Sequence, residues 1–232
     1  MIVSIHQPNY LPWAGLIHKI ASSDLFVIFD DVQLVRGKSF VVRTKIKTSG
    51  GAKWITVPVK EKSYMIPIHD VKINNETDWK EEHWNKIFEN YKEAPFFQQN
   101  STIFKKIILR NWEKIADLNV ELIKQILSIL GIKREIRKSS EFKLNSRGIE
   151  KIIDLIKSVD GDEYLAGMGE GTKRYVSNNQ KLFDKNKINL RYQKFESTTY
   201  QQLYEEFVPN LSILDMIFNI GPDESIKKLN LN

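Results

Sequence analysis

The chain has 232 residues, a formal net charge of +6, 41% hydrophobic residues and no cysteine. That length and apolar content suffice for one large core, and the lack of thiols excludes disulfide scaffolds, thiolate zinc sites and cysteine nucleophiles. No run approaches the length of a membrane span and no basic segment introduces a short apolar stretch near Met1, so the expectation is a cytoplasmic protein without membrane insertion. The positive balance favours a small anionic substrate; its lysines alternate with glutamates, as in Lys80-Glu81-Glu82, and no nucleic-acid signature accompanies them, so nucleic acid is not the expected partner.

Ile2-Val3-Ser4-Ile5 reads as a buried strand that ends on His6-Gln7-Pro8-Asn9-Tyr10, and Pro12-Trp13-Ala14-Gly15 opens an amphipathic helix to Ser23. Pro8 and Pro12 stiffen the turn and bias Gln7 and Leu11 away from the right-handed helical region. Leu25 to Phe29 is a continuous β-rich run ending at Asp30-Asp31, so the first 32 residues form a βαβ unit that brings Gln7 and Asp30 to one sheet edge. Short extended pieces follow at 40–42 and 54–57 around the turn Thr48-Ser49-Gly50-Gly51, with a further strand expected at 68–73. Helical patterns span 79–91 and 102–130, a helical insertion of roughly 75–131 in a single domain covering 1–232. The α/β pattern resumes with a strand at 132–136, a helix at 147–158, strands at 164–166 and 190–193 flanking a helix at 172–183, and a final helix from 211 stopped by Asn219 and Gly221-Pro222. The fold class expected is α/β, a Rossmann-like, mainly parallel sheet with that helical insertion.

Ligands of such sheets bind beyond the carboxyl ends of the strands, which directs attention to the first loop. His6 is the candidate general acid or base, since imidazole titrates nearest neutrality; a structural histidine capping the strand is the alternative. Asp30 is the second catalytic candidate, against a structural turn cap, and with Asp31 it offers a place for Mg²⁺ beside a phosphorylated ligand; no metal-type histidine spacing occurs. Gln7, Asn9, Tyr10 and Trp13 are candidate substrate contacts. Arg36, Arg43, Lys45 and Lys47 form a candidate anion clamp, the last three alternating on one face of an extended segment; for Lys45 and Lys47 the alternative is a solvated edge strand protected by lysine. Gly167-Met168-Gly169-Glu170-Gly171-Thr172 reads as a strand-to-helix turn whose Gly167, Gly169 and Thr172 could cradle an anion.

The segments 6–15, Phe29-Asp30-Asp31-Val32-Gln33, 43–47, 54–59, 84–95, Tyr164-Leu165-Ala166-Gly167 and Phe207 to Asp215 with Phe218-Asn219-Ile220-Gly221 together resemble the WbqC-like protein family over nearly the whole chain. The resemblance implies a role in O-antigen or other surface-polysaccharide biosynthesis. Members of that family carry a His-Pro pair before the tyrosine and glutamine matched by Tyr200 and Gln202; this chain has Thr198-Thr199 there. With the loop chemistry, the resemblance leads to an expected transferase that acylates or aminoacylates a nucleotide-linked amino sugar. Two alternatives stand beside it: a nucleotidyltransferase-like enzyme, whose paired signature histidines the first loop lacks, and a non-enzymatic ligand-binding or scaffolding protein of the same pathway.

Overall fold

The computed structural model describes residues 1–35, 37, 39–60, 65–167, 169, 172, 176–204 and 206–231. Five strands, β1 (Ile2–His6), β2 (Leu25–Ile28), β5 (Glu135–Lys138), β6 (Glu163–Ala166) and β7 (Asn189–Tyr192), form one parallel sheet in the order β5-β2-β1-β6-β7. The chain runs outward from β1 to β2 and β5, then crosses back to β6 and β7. The order therefore reverses between β1 and β6, where a crevice opens at the strands' carboxyl ends.

Side-chain alternation divides the core between the two faces of the sheet. Val3, Ile5, Leu25 and Val27 pack with Tyr164, with Ile153 and Ile156 of α5 (Gly148–Lys157) and with Phe183 of α6 (Gln180–Lys185). Phe26 and Ile28 face the other way, onto Leu16, Ile17 and Ile20 of α1 (Ala14–Ala21) and the larger helical layer. That layer contains α2 (Trp79–Tyr91), α3 (Phe97–Leu109), α4 (Ile115–Ile129) and α7 (Ile213–Lys228), with an antiparallel hairpin of β3 (Arg43–Thr48) and β4 (Gly51–Thr56). No helix among the described residues is long and apolar enough to cross a membrane.

The α/β, mainly parallel architecture agrees with the sequence reading, and helices α2 to α4 occupy the 75–131 interval. Several boundaries differ. Residues 40–42 are turn rather than strand, because Ser39 accepts the amides of Val41 and Val42, and β3 begins at Arg43. The strand expected at 68–73 is a 3₁₀ turn, Ile68–Asp70, followed by single bridges from Lys72 and Ile73, with Pro67 at its start. The long pattern at 102–130 is two helices: Trp112 turns into the core, its Nε1 donating to the Ile107 carbonyl at 2.7 Å, and the chain is extended at Arg110 and Lys114. Gly221 does interrupt the last helix, at φ 77°, yet Pro222 starts a new helical stretch, so α7 bends there and continues to Lys228.

Candidate functional site

The first loop is rigid because neighbouring elements take up its backbone groups. Asn119 of α4, fully buried, donates to the carbonyls of Pro8 at 2.9 Å and Val41 at 2.7 Å. The Tyr10 amide donates to the Phe40 carbonyl, the Thr44 hydroxyl to the Leu11 carbonyl, and the Ile213 amide to the Pro12 carbonyl. Leu11 is held at φ 41°, a left-handed conformation that a leucine adopts only where its surroundings enforce it. Trp13 then folds back over Gly15: a Cβ at Gly15 would stand 2.1 Å from the indole, so only glycine permits this wall of the site.

Above the carboxyl ends of β1 and β6 lies a cavity of about 670 Å³. Its lining brings together the expected residues His6, Asn9, Trp13, Lys45, Gly167, Gly169 and Thr172. It also includes Lys19, Phe40, Gln193, Phe195 and Asn210, which no sequence motif marks. Gln193 follows β7 and donates to the Gly15 carbonyl at 2.7 Å, and its Nε2 lies 2.9 Å from His18 Nδ1, tying the far side of the crevice to α1. Phe195 packs edge-on against Trp13 and at a tilt against His18.

His6 Nδ1 lies 2.8 Å from the Gln7 carbonyl. A carbonyl can only accept, so Nδ1 carries the hydrogen and Nε2 presents a lone pair. Burial, together with the nearby Lys19 charge, pushes the imidazolium down to about 4, and the bond to Gln7 offsets this only in part. His6 is thus a neutral acceptor at physiological pH. Lys19, on α1 and buried, donates from Nζ to the Ile5 carbonyl at 2.9 Å; burial lowers its ammonium to about 7. Among the described lining residues the cavity has two lysines and no carboxylate.

At the cavity's edge, Phe40 and Trp54 are exposed and pack 5.6 Å apart. The Arg43 guanidinium lies 4.0 Å from the Trp54 ring centre and Lys45 Nζ 5.0 Å from it, so these two cations share a face of β3 around one indole.

Other expected site residues sit elsewhere. Tyr10 is fully buried with its hydroxyl 3.0 Å from His83 Nδ1, so its phenol supports the helical layer and does not line the cavity. Asp30 is also buried: its carboxylate accepts from the Ser140 amide at 3.0 Å and the Ser140 hydroxyl at 2.9 Å, while Ser139 Oγ lies 3.1 Å away. Asp31 is 2.6 Å from both Ser139 Oγ and Lys151 Nζ. The two carboxylates that could accompany Mg²⁺ with a phosphorylated ligand are both engaged at the 3₁₀ turn Ser139–Phe142, which Asp30 caps. No cluster of three or more His, Asp or Glu suited to a metal occurs among the described residues. Lys47 leaves the basic set: its Nζ is buried against the Gln202 side chain and the carbonyls of Tyr204 and Glu206. The Gln7 side chain and Arg43 are not among the cavity's lining residues. Arg36 lies outside the described residues, as do Met168, Glu170 and Gly171 of the glycine-rich turn.

Comparison with known proteins gives a consistent result. Residues 7–227 match the model of the WbqC-like protein family. The uncharacterized protein Rv1507c of Mycobacterium tuberculosis (strain ATCC 25618 / H37Rv) is 33% identical over 224 residues, which is 95% of this chain and 94% of that protein. No solved structure matches.

Proposed function

The chain belongs to the WbqC-like family, and from that premise we propose that the cavity at the β1–β6 crevice binds an anionic sugar precursor and transfers an acyl or aminoacyl group to it for surface-polysaccharide synthesis. One observation carries this reading: Lys19 and Lys45 line the cavity with no described carboxylate opposing them. Two lysines without a described carboxylate beside them, in a partly desolvated space, favour an anion, here the phosphates of a nucleotide-linked amino sugar. The exposed Phe40 and Trp54 pair supplies an apolar shelf for a base beside Arg43 and Lys45.

His6 is the proposed base. Its Nε2 takes the proton from the acceptor amine or hydroxyl as that nitrogen or oxygen bonds to the carbonyl carbon of an activated acyl donor, a thioester or ester. The bond to the leaving group breaks with its electron pair, and the leaving group receives the proton back from Nε2. The side chains of Asn9 and Asn210, both in the lining, are placed to hydrogen-bond sugar hydroxyls or the developing oxyanion.

The test is a turnover assay with nucleotide amino sugars and acyl or aminoacyl thioesters, run on the native protein and on His6→Ala. Loss of about 10²-fold or more in kcat with an unchanged melting curve is the expected result. Undiminished turnover in the variant removes His6 from the mechanism. Saturable binding of the sugar nucleotide with no turnover for any donor favours a carrier protein.

A further inference from the structure

We propose that Lys19 Nζ, Thr172 Oγ1 and the open space over Gly167 form a phosphoryl-binding subsite in the cavity floor, where the bound phosphoryl group supplies the counter-charge that Lys19 does not find among the described residues. The inference rests on the reading of the cavity as an anion site and narrows it to one place and one ligand chemistry.

Three observations define the subsite. Lys19 is 97% removed from solvent by its 3% relative exposure, yet it lines the cavity and has one hydrogen bond, to the Ile5 carbonyl. An ammonium carries three donors, and none of the ion pairs found among the described residues involves Lys19. A buried cation without a carboxylate is costly in the empty protein, and an anionic oxygen relieves that cost.

Second, Gly167 separates the two polar side chains. A methyl group built on it would stand 3.9 Å from Lys19 Nζ and 3.5 Å from Thr172 Oγ1. A side chain at position 167 would thus occupy the space that both donors reach, and glycine leaves it empty. Third, the subsite lies where the strand order reverses, immediately after β6 and next to the end of β1, with His6 in the same lining. A phosphoryl group there would sit within the cavity that holds the proposed base.

The arrangement has a thermodynamic signature. Lys19 is mostly neutral above its lowered value of about 7, so an anion that draws it into the ammonium form takes up a proton on binding. Uptake approaches one proton per ligand near pH 8 to 9 and falls as the pH drops below 7.

The experiment is isothermal titration calorimetry of the full chain with inorganic pyrophosphate, uridine diphosphate and succinate, at pH 8 in two buffers of different ionisation enthalpy. The expected result is binding of the two phosphoryl probes with buffer-dependent proton uptake. Lys19→Met should abolish the uptake and weaken binding at least tenfold. Gly167→Ala, whose methyl meets its neighbours at ordinary contact distance and so leaves the fold intact, should weaken binding comparably while Lys19 remains. Lys45→Ala should weaken binding without changing the uptake. Native affinity and uptake in both Lys19→Met and Gly167→Ala overturn the subsite while the anionic cavity stands, provided Lys45→Ala is weakened. Equal or tighter coupled binding of succinate overturns the phosphoryl assignment. Failure of all three probes to bind the native protein overturns the cavity reading and the subsite with it.

Discussion

The Tyr200 hydroxyl donates to the buried carboxylate of Asp215 at 2.7 Å. Tyr91 donates to the other oxygen at 2.9 Å, and Gln202 links Tyr200 to Lys47 and Val208, so five side chains tie the segment after β7 to α2, β3 and α7. Burial pushes the Asp215 carboxyl up, and the two tyrosine hydroxyls pull it back. Tyr200→Phe should therefore cost about 1.5–3 kcal/mol at pH 7, the usual loss for a hydrogen bond to a charged group. A raised folded value means that stability is complete below about pH 4, the unfolded carboxyl's range, and declines as Asp215 ionises. Without Tyr200 the folded value rises further and the decline runs on to higher pH, so urea unfolding should show a difference from the native protein that grows toward pH 7.

Lys19 is expected to trade stability for function. Its unfolded form binds a proton up to about pH 10.4, whereas the folded form releases it near 7, so folding is penalised fully below pH 7 and progressively less toward pH 10. Lys19→Met should raise the melting temperature at pH 7, by roughly 2–4 °C per kcal/mol recovered, and the gain should shrink at pH 9 to 10. Differential scanning calorimetry across that range measures it; a lower melting temperature at pH 7 would show that the bond to Ile5 outweighs the buried charge.

Two histidines work in the acid direction. Burial lowers both His6 and His83 to about 4, so between pH 6.5 and 4 the unfolded chain binds more protons than the folded one. Their contribution is intact above pH 6.5 and is lost on acidification, with a combined slope of up to about 2.7 kcal/mol per pH unit. His83→Gln should flatten that slope by about half in chemical unfolding at pH 6.5, 5.5 and 4.5.

Asp30→Ala removes the acceptor for Ser140 N–H and leaves a half-buried donor unpaired. A loss of about 2 kcal/mol or more is expected, with pyrophosphate affinity of the folded fraction unchanged. Affinity lost in proportion to neither stability nor folded fraction would return Asp30 to the site.

Gly221→Ala combines two faults: φ is 77°, and the new methyl would stand 2.8 Å from the Phe96 ring. The backbone term alone costs about 1 kcal/mol, and the Phe96 clash adds to it. Circular dichroism melts should fall accordingly, whereas Gly131→Ala, also at positive φ but with open space around it, should lose less.

The sheet was legible in the sequence because buried parallel strands read as short apolar runs: Ile2 to Ile5, Leu25 to Ile28 and Tyr164 to Ala166 are each strands in the structure. The break between α3 and α4 was not, since Trp112 fits a helical period and only its inward turn reveals the interruption. In the site, His6, Asn9 and Trp13 were readable from their density after a strand. Lys19 was hidden because a lysine in an amphipathic helix looks like surface; its neighbours His18 and Ile20, both buried, were the available signal. Asp30 was ambiguous for a different reason. A carboxylate at a strand end satisfies the requirements of a cap and of a catalytic group equally well until its partners, Ser139 and Ser140, come from more than a hundred residues away.

The central position of β1 has a consequence for how the protein is made. During synthesis β1 emerges well before β6, and the hydrogen-bonding edge it presents at Val3 finds its partner only when Tyr164 has been added. Until then a nascent chain carrying β1 and β2 exposes an apolar strand edge of the kind that pairs with other chains. Many sequence-distant pairings also slow folding. Expression at low temperature or with co-produced chaperones should raise the recovered yield, and the cavity, whose lining includes both His6 and Asn210, is incomplete in any amino-terminal fragment that stops short of residue 210.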